Sequence, residues 1–178
     1  MVTIRRQRLD DAAEVAGVHV RAWQAGYAGI IPKDVLDALD PDTFAARRRQ
    51  WHGAKEFETL VAVDDRAIVG FTTVGQYRNQ QDRTDLVPGV GEVLAIYLEP
   101  NRVGTGLGRT LMAAGLAELD DRGFRTVRLW VLEDNTRARR FYEKAGFQPD
   151  GERNTYDVVS GGETLRLPEI RYTRTIES

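Results

Sequence analysis

The sequence contains no cysteine and only two histidines, His19 and His52, among its 178 residues. Without cysteine, the chain cannot form disulfide bonds or thiolate zinc sites, and it has no cysteine nucleophile. The two histidines are far apart in the sequence, and no carboxylate cluster around them has the spacing of metal ligands. We therefore expect chemistry that uses no metal ion.

Long hydrophobic runs and a strong excess of charge are also missing. No apolar stretch is long enough to span a bilayer, and no signal-peptide pattern follows Met1. The net charge of −2 gives the chain no general attraction to nucleic acid or to an anionic membrane. A hydrophobic content of 42% is enough for one good core, so we expect residues 1–178 to form a single domain. These features indicate a cytoplasmic protein whose partners are small molecules or a peptide end.

Hydrophobic periodicity predicts an α/β chain in which helices precede most of the sheet. The predicted strands cover residues 2–8, 57–63, 67–74, 93–98, 126–132, 148–159 and 164–175. A capping box formed by Asp11 and Glu14 is expected to open the first helix, which ends before Pro32. The later helices are predicted from residue 32 to before 41, over 44–51, from 109 to about 122, and over 136–144. Residues 79–89 are interpreted as a polar loop.

A glycine loop at residues 103–108, Val-Gly-Thr-Gly-Leu-Gly, separates an apolar run from an amphipathic segment that begins at Arg109. Glycine lets the backbone approach a phosphate closely, and the free N–H groups of a helix N-terminus favour its negative charge. The loop lacks the Lys-Ser/Thr ending of an NTPase phosphate loop, and its G-x-G-x-G spacing differs from the dinucleotide-binding fingerprint. A tight turn between strand and helix would also explain the glycines. We favour a site for a cofactor that carries a diphosphate.

The residues on both sides of this loop follow a specific order. From Glu92 to Phe147 the sequence contains a strand, the glycine loop, a helix, the strand Thr-Val-Arg-Leu-Trp-Val-Leu, an asparagine, and a helix with Phe-Tyr before Gly-Phe. This order resembles the GNAT family of acetyl-CoA-dependent N-acetyltransferases. One position departs from the family, because Val103 stands where Gln or Arg is usual and Arg102 lies one residue early. The resemblance implies an α/β (α+β) fold with a mixed, mostly antiparallel central sheet of about seven strands, parallel fourth and fifth strands, and flanking helices.

The resemblance also implies acetyl-CoA as the co-substrate. The residues expected to bind it are Ile96, Leu98, Val103, Gly104, Gly106, Gly108, Arg109, Asn135 and Tyr142. In the family, the loop holds the pyrophosphate largely through backbone N–H groups. Backbone groups of the fourth strand near Ile96 and Leu98 are expected to pair with the pantetheine amides and to polarise the thioester carbonyl. Asn135 would meet the pantetheine arm, although capping of the next helix is a sufficient explanation for it.

Two side chains are candidates for acid and base catalysis. An alkylamine is only about 0.1% unprotonated at neutral pH, so an acetyltransferase needs a base. Glu92 is the candidate base, because several family members carry acidic residues at the start of the fourth strand; a solvent-facing carboxylate is the alternative. Tyr142 occupies the family's tyrosine position and is expected to protonate the departing CoA thiolate, whereas packing at the end of its helix is the alternative.

The acceptor side of the reaction depends on the first helix. Trp23 and Tyr27 lie four residues apart, so they share a helix face, which in GNAT folds borders the acceptor cleft. They are expected to form an aromatic wall for a cationic or apolar amine, or else to pack the helix onto the sheet. The resemblance thus implies transfer of acetyl to a primary amine of a small molecule, by direct attack in a ternary complex. The alternatives are acetylation of a protein N-terminus or lysine, and a GNAT-like module that senses acyl-CoA without turnover; homodimers are common in the family.

Overall fold

The computed structural model describes residues 1–177 and places seven strands in one sheet, in the order β1-β2-β3-β4-β5-β7-β6. The strands are β1 (Val2–Arg6), β2 (Phe57–Asp64), β3 (Ala67–Arg78), β4 (Leu86–Leu98), β5 (Thr126–Leu132), β6 (Gln148–Ser160) and β7 (Glu163–Thr175). The helices are α1 (Ala12–Gly26), α2 (Lys33–Asp37), α3 (Pro41–Trp51), α4 (Leu107–Asp121) and α5 (Thr136–Lys144). Within residues 1–177, no helix combines the length and the hydrophobicity needed to cross a bilayer.

One pair of neighbouring strands is parallel. β4 and β5 run in the same direction, with residues 90–92 opposite residues 126–128, and the other neighbouring pairs are antiparallel. A parallel pair needs a long crossover connection, which α4 provides here. The fold class predicted from the sequence is therefore confirmed: a mixed, mostly antiparallel sheet with parallel fourth and fifth strands and flanking helices.

The side chains of the strands alternate between two hydrophobic layers. On one face, Leu129 of β5 packs in a cluster with Leu116 of α4. On the other face, Phe71 of β3 packs in a cluster with Val15 of α1. Full burial of side chains of this size contributes about 1.5–3 kcal/mol each. Because helices cover both faces of the sheet, a ligand can reach its centre only where neighbouring strands separate.

β4 is longer than the sequence suggests. A polar loop is predicted over residues 79–89 and a strand from residue 93, but β4 begins at Leu86 and the loop covers residues 79–85. The N-terminal part of β4 pairs with β3, where Arg78 lies opposite Leu86. Cross-strand pairing thus extends a segment whose own proline and glycine residues do not favour a strand.

The capping box predicted from Asp11 and Glu14 is wrong. Asp11 is the N-cap residue of α1, but its side chain makes no capping hydrogen bond to that helix. It accepts instead from the guanidinium group of Arg5 at 2.7 Å, and the Glu14 carboxylate accepts from the backbone N–H of Ile68 at 2.7 Å. Both carboxylates therefore connect α1 to the sheet.

β1 ends at Arg6, two residues before its predicted end, because a turn of 3-10 helix follows.

His19 lies in an aromatic cluster between α1 and the sheet. Its ring stacks on Phe44 with centroids 4.5 Å apart and on Tyr97 with centroids 5.1 Å apart. Burial, and secondarily the positive charge of Arg48, lower the pKa of His19 to about 3. This histidine is therefore neutral in the folded protein at physiological pH.

We expect His19 to make the folded state sensitive to acid. The unfolded chain takes up a proton on His19 near pH 6.5, whereas the folded chain does so only near pH 3. The contribution of neutral His19 to the free energy of unfolding is therefore complete above pH 6.5 and is lost as the pH falls from 6.5 to 3. The loss is about 1.4 kcal/mol per pH unit. Urea unfolding at about pH 7 and about pH 5 should show this loss of stability in the native chain. The control variant His52→Gln should show it as well, because His52 is exposed. His19→Gln should lack it; an equal loss in that variant would contradict the assignment.

Candidate active site

The two parallel strands separate halfway along their length. β4 and β5 pair only through residues 90–92 and 126–128, although both strands continue further. The register with β3 shifts at this point and leaves Leu94 as an extra residue between Val93 and Ala95. Such a β-bulge bends its strand and is common next to active sites. The result is a cleft between the C-terminal halves of β4 and β5.

Backbone groups of β4 face this cleft. The N–H of Glu99 donates to the carbonyl of Val69 on β3 at 2.9 Å. Because the direction of hydrogen bonding alternates along an antiparallel strand, Tyr97 also bonds to β3, while the N–H and C=O groups of Ile96 and Leu98 point away from it. Within the described residues, β5 pairs with β4 only at residues 90–92, before Ile96 and Leu98 in the strand. The backbone of these two residues is therefore free to bind an extended ligand.

The glycine loop lies where β4 gives way to α4. Gly104 and Gly106 have φ values of +81° and +89°, a left-handed conformation that is costly for residues with a Cβ atom. α4 begins at Leu107, and no side chain of residues 1–177 caps its N-terminus. The first N–H groups of this helix therefore have no intrahelical partner, and the helix dipole adds partial positive charge. This geometry favours an anion such as a phosphate.

A cavity of about 980 Å³ joins the cleft to the glycine loop. Every residue that the sequence predicts to bind the cofactor lines it, namely Ile96, Leu98, Val103, Gly104, Gly106, Gly108, Arg109, Asn135 and Tyr142. Cationic side chains of Arg137, Arg140 and Lys144 line it as well. An extended molecule with phosphates at one end fits these features, because the helix N–H groups and the cations suit the phosphates while the free backbone of β4 suits an amide-containing arm.

Asn135 and Tyr142 each combine a structural contact with a place in the cavity wall. The Asn135 side chain accepts from the backbone N–H of Ala138 at 3.2 Å and so caps α5. Tyr142 packs edge-on against Phe147 and Tyr172, with ring centroids 6.2 and 6.4 Å apart. Burial, and then the nearby Tyr97, raise the pKa of Tyr142 well above its ordinary value. The phenol of Tyr142 therefore keeps its proton throughout the physiological range.

Four aromatic residues, Trp23, Tyr27, Tyr97 and Tyr156, line the same cavity and form an aromatic chamber. The rings of Trp23 and Tyr27 lie 4.9 Å apart, and the hydroxyls of Tyr27 and Tyr97 lie 3.3 Å apart. Trp23 and Tyr27 also pack against the cluster that contains Leu36 of α2. The two residues predicted from the first helix thus both line the cavity and hold α1 on the sheet.

Glu92 lies in the middle of β4 rather than at its start, and only 3% of it is exposed. The solvent-facing position considered from the sequence is therefore wrong. Its Oε2 accepts from the Arg78 guanidinium at 2.9 Å, and its Oε1 accepts from the backbone N–H of Arg78 at 3.0 Å. No group of three or more His, Cys, Asp or Glu side chains within residues 1–177 is arranged to hold a metal ion.

A sequence model of the Acetyltransferase (GNAT) family matches residues 20–147. This range contains the cleft between β4 and β5, the glycine loop and α5. The chain belongs to the GNAT acetyltransferase family.

Relatives of this GNAT chain include named acetyltransferases. It is 36% identical over 136 residues to YuaI of Bacillus subtilis, an uncharacterized N-acetyltransferase, and the match covers 76% of this chain and 74% of that protein. It is 38% identical over 92 residues to the mycothiol acetyltransferase of Rhodococcus jostii, a match that covers 52% of this chain and 29% of that protein. This GNAT chain therefore spans less than a third of the length of that second relative.

Solved structures show the same fold. The PaiA N-acetyltransferase of Thermoplasma acidophilum, in complex with coenzyme A, superposes with a TM-score of 0.76 at 18% identity, and the match covers 99% of each chain. The ribosomal-protein-S18-alanine N-acetyltransferase of Escherichia coli superposes with a TM-score of 0.70 at 21% identity, and the match covers 100% of this chain and 96% of that one. At these identities the likeness shows the GNAT fold alone.

The cavity-lining side chains of this GNAT chain that the sequence analysis did not name as candidates include Tyr97, Tyr156 and Glu169. Tyr97 lies two residues after Ala95 on β4, so their side chains share one face of the strand. This spacing does not indicate which residues that face contacts. Glu169 follows a proline in the middle of β7. Because acidic residues are uncommon in strands, its presence there was the signal in the sequence for a functional position. The long-range order of the sheet, rather than any local motif, brings these residues to the cavity.

Proposed function

We propose that this GNAT chain transfers the acetyl group of acetyl-CoA to a primary amine of a small molecule, by direct attack within a ternary complex. The continuity of the cavity supports the proposal. It runs from the glycine loop, along the free backbone of β4, to the aromatic chamber and two buried carboxylates, Glu92 and Glu169. Groups suited to phosphates lie at one end and groups suited to an amine at the other, so both substrates can bind at once. No covalent enzyme intermediate is needed.

The donor half of the site consists of the glycine loop and β4. N–H groups of the loop and of the first turn of α4, together with Arg109, would hold the pyrophosphate. Ile96 and Leu98 would pair with the pantetheine amides, and a cleft-facing N–H would stabilise negative charge on the carbonyl oxygen. Asn135 would contact the pantetheine arm. Acetyl-CoA supplies a thioester carbonyl that a neutral amine can attack.

The acceptor half of the site is the aromatic chamber. Tyrosine and tryptophan faces attract cations and also pack against apolar groups, so Trp23 and Tyr27 suit a cationic or apolar amine. The ring centroids of Trp23 and Tyr156 lie 6.2 Å apart, so these two rings contact each other in the chamber wall. An aromatic space of this kind suits a small amine, whereas an extended polypeptide needs an open groove. We place the reaction in the cytoplasm, without a metal ion, nucleic acid or membrane; sizing in solution would decide between a monomer and a homodimer.

Glu92 is the sequence-based candidate for the base. It lies in the wall of the cavity, but both carboxylate oxygens already accept hydrogen bonds from Arg78. In this arrangement Glu92 would reach an acceptor amine only through a bridging water.

Tyr142 is proposed to donate to the departing sulfur. Because burial raises the pKa of Tyr142, its hydroxyl remains protonated and can stabilise the thiolate as the bond to carbon breaks. We expect Tyr142→Phe to lower kcat by about 10²-fold. The dissociation constant of acetyl-CoA should remain within about twofold of native, since the ring and its packing are retained. Stopped-flow kinetics and calorimetry measure the two quantities, and an unchanged kcat would remove Tyr142 from the mechanism.

The proposed function is tested by following CoA release from acetyl-CoA with a thiol reagent, in the presence of polyamines, amino acids, aminoglycosides, arylamines and short peptides. Thermal melting with and without acetyl-CoA is measured in parallel. Turnover with a small amine supports the proposal, and turnover with peptides alone assigns the chain to protein acetylation. Stabilisation by acetyl-CoA without turnover would favour a sensor of acyl-CoA. If acetyl-CoA gave neither turnover nor thermal stabilisation, the proposed donor half of the site would be refuted.

A further inference from the structure

Glu169 is a buried carboxylate in the cavity wall to which the proposal above gives no catalytic role. It lies on β7, opposite Leu132 of β5 and Asn154 of β6, and only 7% of it is exposed. Gln80, from the loop between β3 and β4, donates to its Oε1 at 2.7 Å. That is the one hydrogen bond the carboxylate accepts within residues 1–177. Its Oε2 is therefore available to a ligand in the cavity.

Charged and titratable groups face Glu169 from several elements. Burial raises its pKa above the ordinary value of 4.5, Arg83 in the loop before β4 opposes that rise, and Glu92 on β4 adds to it. Tyr27, which directly follows α1, and Tyr156 on β6 also lie within range of its charge. A raised pKa makes the ionised carboxylate a stronger base than an ordinary one.

The two buried carboxylates differ in what they can do. Glu92 accepts hydrogen bonds from Arg78 on both oxygens, so it can take a proton only by giving up part of an ion pair. Breaking a buried pair is costly, because it leaves an uncompensated charge. Glu169 has no cationic group within salt-bridge distance among the described residues and keeps one oxygen without a donor. Of the two, Glu169 is the group that an ammonium ion in the chamber can meet directly.

We propose that Glu169 takes a proton from the acceptor ammonium group, that Gln80 is its positioning residue, and that Glu92 remains paired with Arg78. This inference rests on the proposed function. One N–H bond of the ammonium breaks and its proton moves to Oε2, which leaves a lone pair on nitrogen. That pair forms the C–N bond while the C–S bond of the thioester breaks and its electron pair leaves with sulfur. The Tyr142 hydroxyl gives its proton to sulfur and is reprotonated by the second proton of the nitrogen, and Glu169 then releases its proton to water.

The pH dependence of kcat/KM distinguishes the two carboxylates. With acetyl-CoA and the amine that gives turnover, the native profile should fall below the pKa of Glu169 and above the pKa of the amine, since an ionised carboxylate and an ammonium ion must meet. Glu169→Gln should lower kcat/KM by about 10²–10⁴-fold, and the break that limits the native profile on the acidic side, at the pKa of Glu169, should be absent. Its rate should instead rise with pH in proportion to the unprotonated amine. Glu92→Gln should keep the acidic limb.

A direct titration gives a readout that does not depend on turnover. The chain is labelled with ¹³C at the glutamate carboxyl carbons, and the signal missing from Glu169→Gln is assigned to Glu169. Its midpoint should lie above 4.5. Thermal melting of Glu169→Gln and Glu92→Gln checks that both variants fold. We expect them to fold because glutamine has nearly the same shape as glutamate. Gln80→Ala should shift the midpoint of Glu169 upward, because a hydrogen bond to its ionised form is lost.

Each result decides the inference. A Glu169→Gln profile that keeps the native acidic limb, or a Glu169 midpoint at or below 4.5, overturns it. Loss of the acidic limb in Glu92→Gln alone assigns the proton to Glu92 and also overturns it. Failure of the native chain to release CoA with any amine refutes the proposed function instead. In that case a midpoint above 4.5 still supports a proton-holding Glu169, and a lower one still overturns it.

Discussion

Gly75→Val is expected to destabilise the protein by about 3 kcal/mol or more, the largest loss of stability we predict for a single change. Gly75 lies on β3, and a Cβ atom there would sit 2.2 Å from the carbonyl oxygen of Glu56 and 2.6 Å from the ring of Phe57. That carbonyl accepts the backbone N–H of Gln76 at 3.2 Å, so it cannot move without losing a sheet contact. With a total stability of about 5–15 kcal/mol, such a loss leaves little margin. Circular dichroism should show a melting temperature lower by roughly 10 °C or more.

The matched control for this prediction is Gly26→Ala in α1. A Cβ atom at Gly26 would have no heavy atom of residues 1–177 within 4 Å, and a helix favours alanine over glycine. We expect this variant to be as stable as the native chain or more stable by up to about 1 kcal/mol. If Gly75→Val melted at the native temperature, the close approach of β3 to the chain before β2 would be refuted.

The double change Gly104→Ala and Gly106→Ala is expected to weaken acetyl-CoA binding by roughly 10²–10³-fold. Both glycines have positive φ, at +81° and +89°, and a left-handed L-residue costs about 1–2 kcal/mol. The free loop of the variant relaxes to another conformation, and binding must restore the strained one. Added methyl groups would also stand where the backbone approaches the pyrophosphate. Titration calorimetry with acetyl-CoA measures the effect.

Gly123→Ala separates strain from binding. Gly123 follows α4, has a φ of +86° and has open space around a Cβ atom, as the loop glycines do. It does not line the cavity. We expect this variant to lose stability while its acetyl-CoA affinity stays native. Equal affinities for the native chain and the double variant would show that the glycine loop does not hold the pyrophosphate.

The glycine loop and the strands around it could be predicted from sequence because their signals are local. Glycine at residues 104 and 106 marks a turn that needs positive φ, and the amphipathic pattern after Arg109 marks a helix. The continuous apolar run over 93–98 likewise indicates a buried strand. What the pattern did not contain was the start of β4 at Leu86, because pairing with β3 extends that strand.

The acceptor end of the site could be predicted only in part. Trp23 and Tyr27 share a helix face, so their neighbourhood followed from helical spacing. Glu169 reaches the cavity because β7 lies between β5 and β6 in the sheet, an order that no local pattern encodes. The pairing of Glu92 with Arg78 likewise depends on the register between β3 and β4 and on the bulge in β4. Residues from distant parts of the sequence meet there through long-range strand pairing.

The proposed function requires this GNAT chain to join an acetyl group from acetyl-CoA to the nitrogen of a small primary amine. The most direct test mixes the native chain, ¹³C-labelled acetyl-CoA and the amine that releases CoA fastest, and follows the labelled carbon by NMR while counting the thiol released. We predict that the label appears as an amide of that amine, with one molecule of amide for each CoA released. A label that appears only as acetate, or as an oxygen or sulfur ester, would contradict the claim.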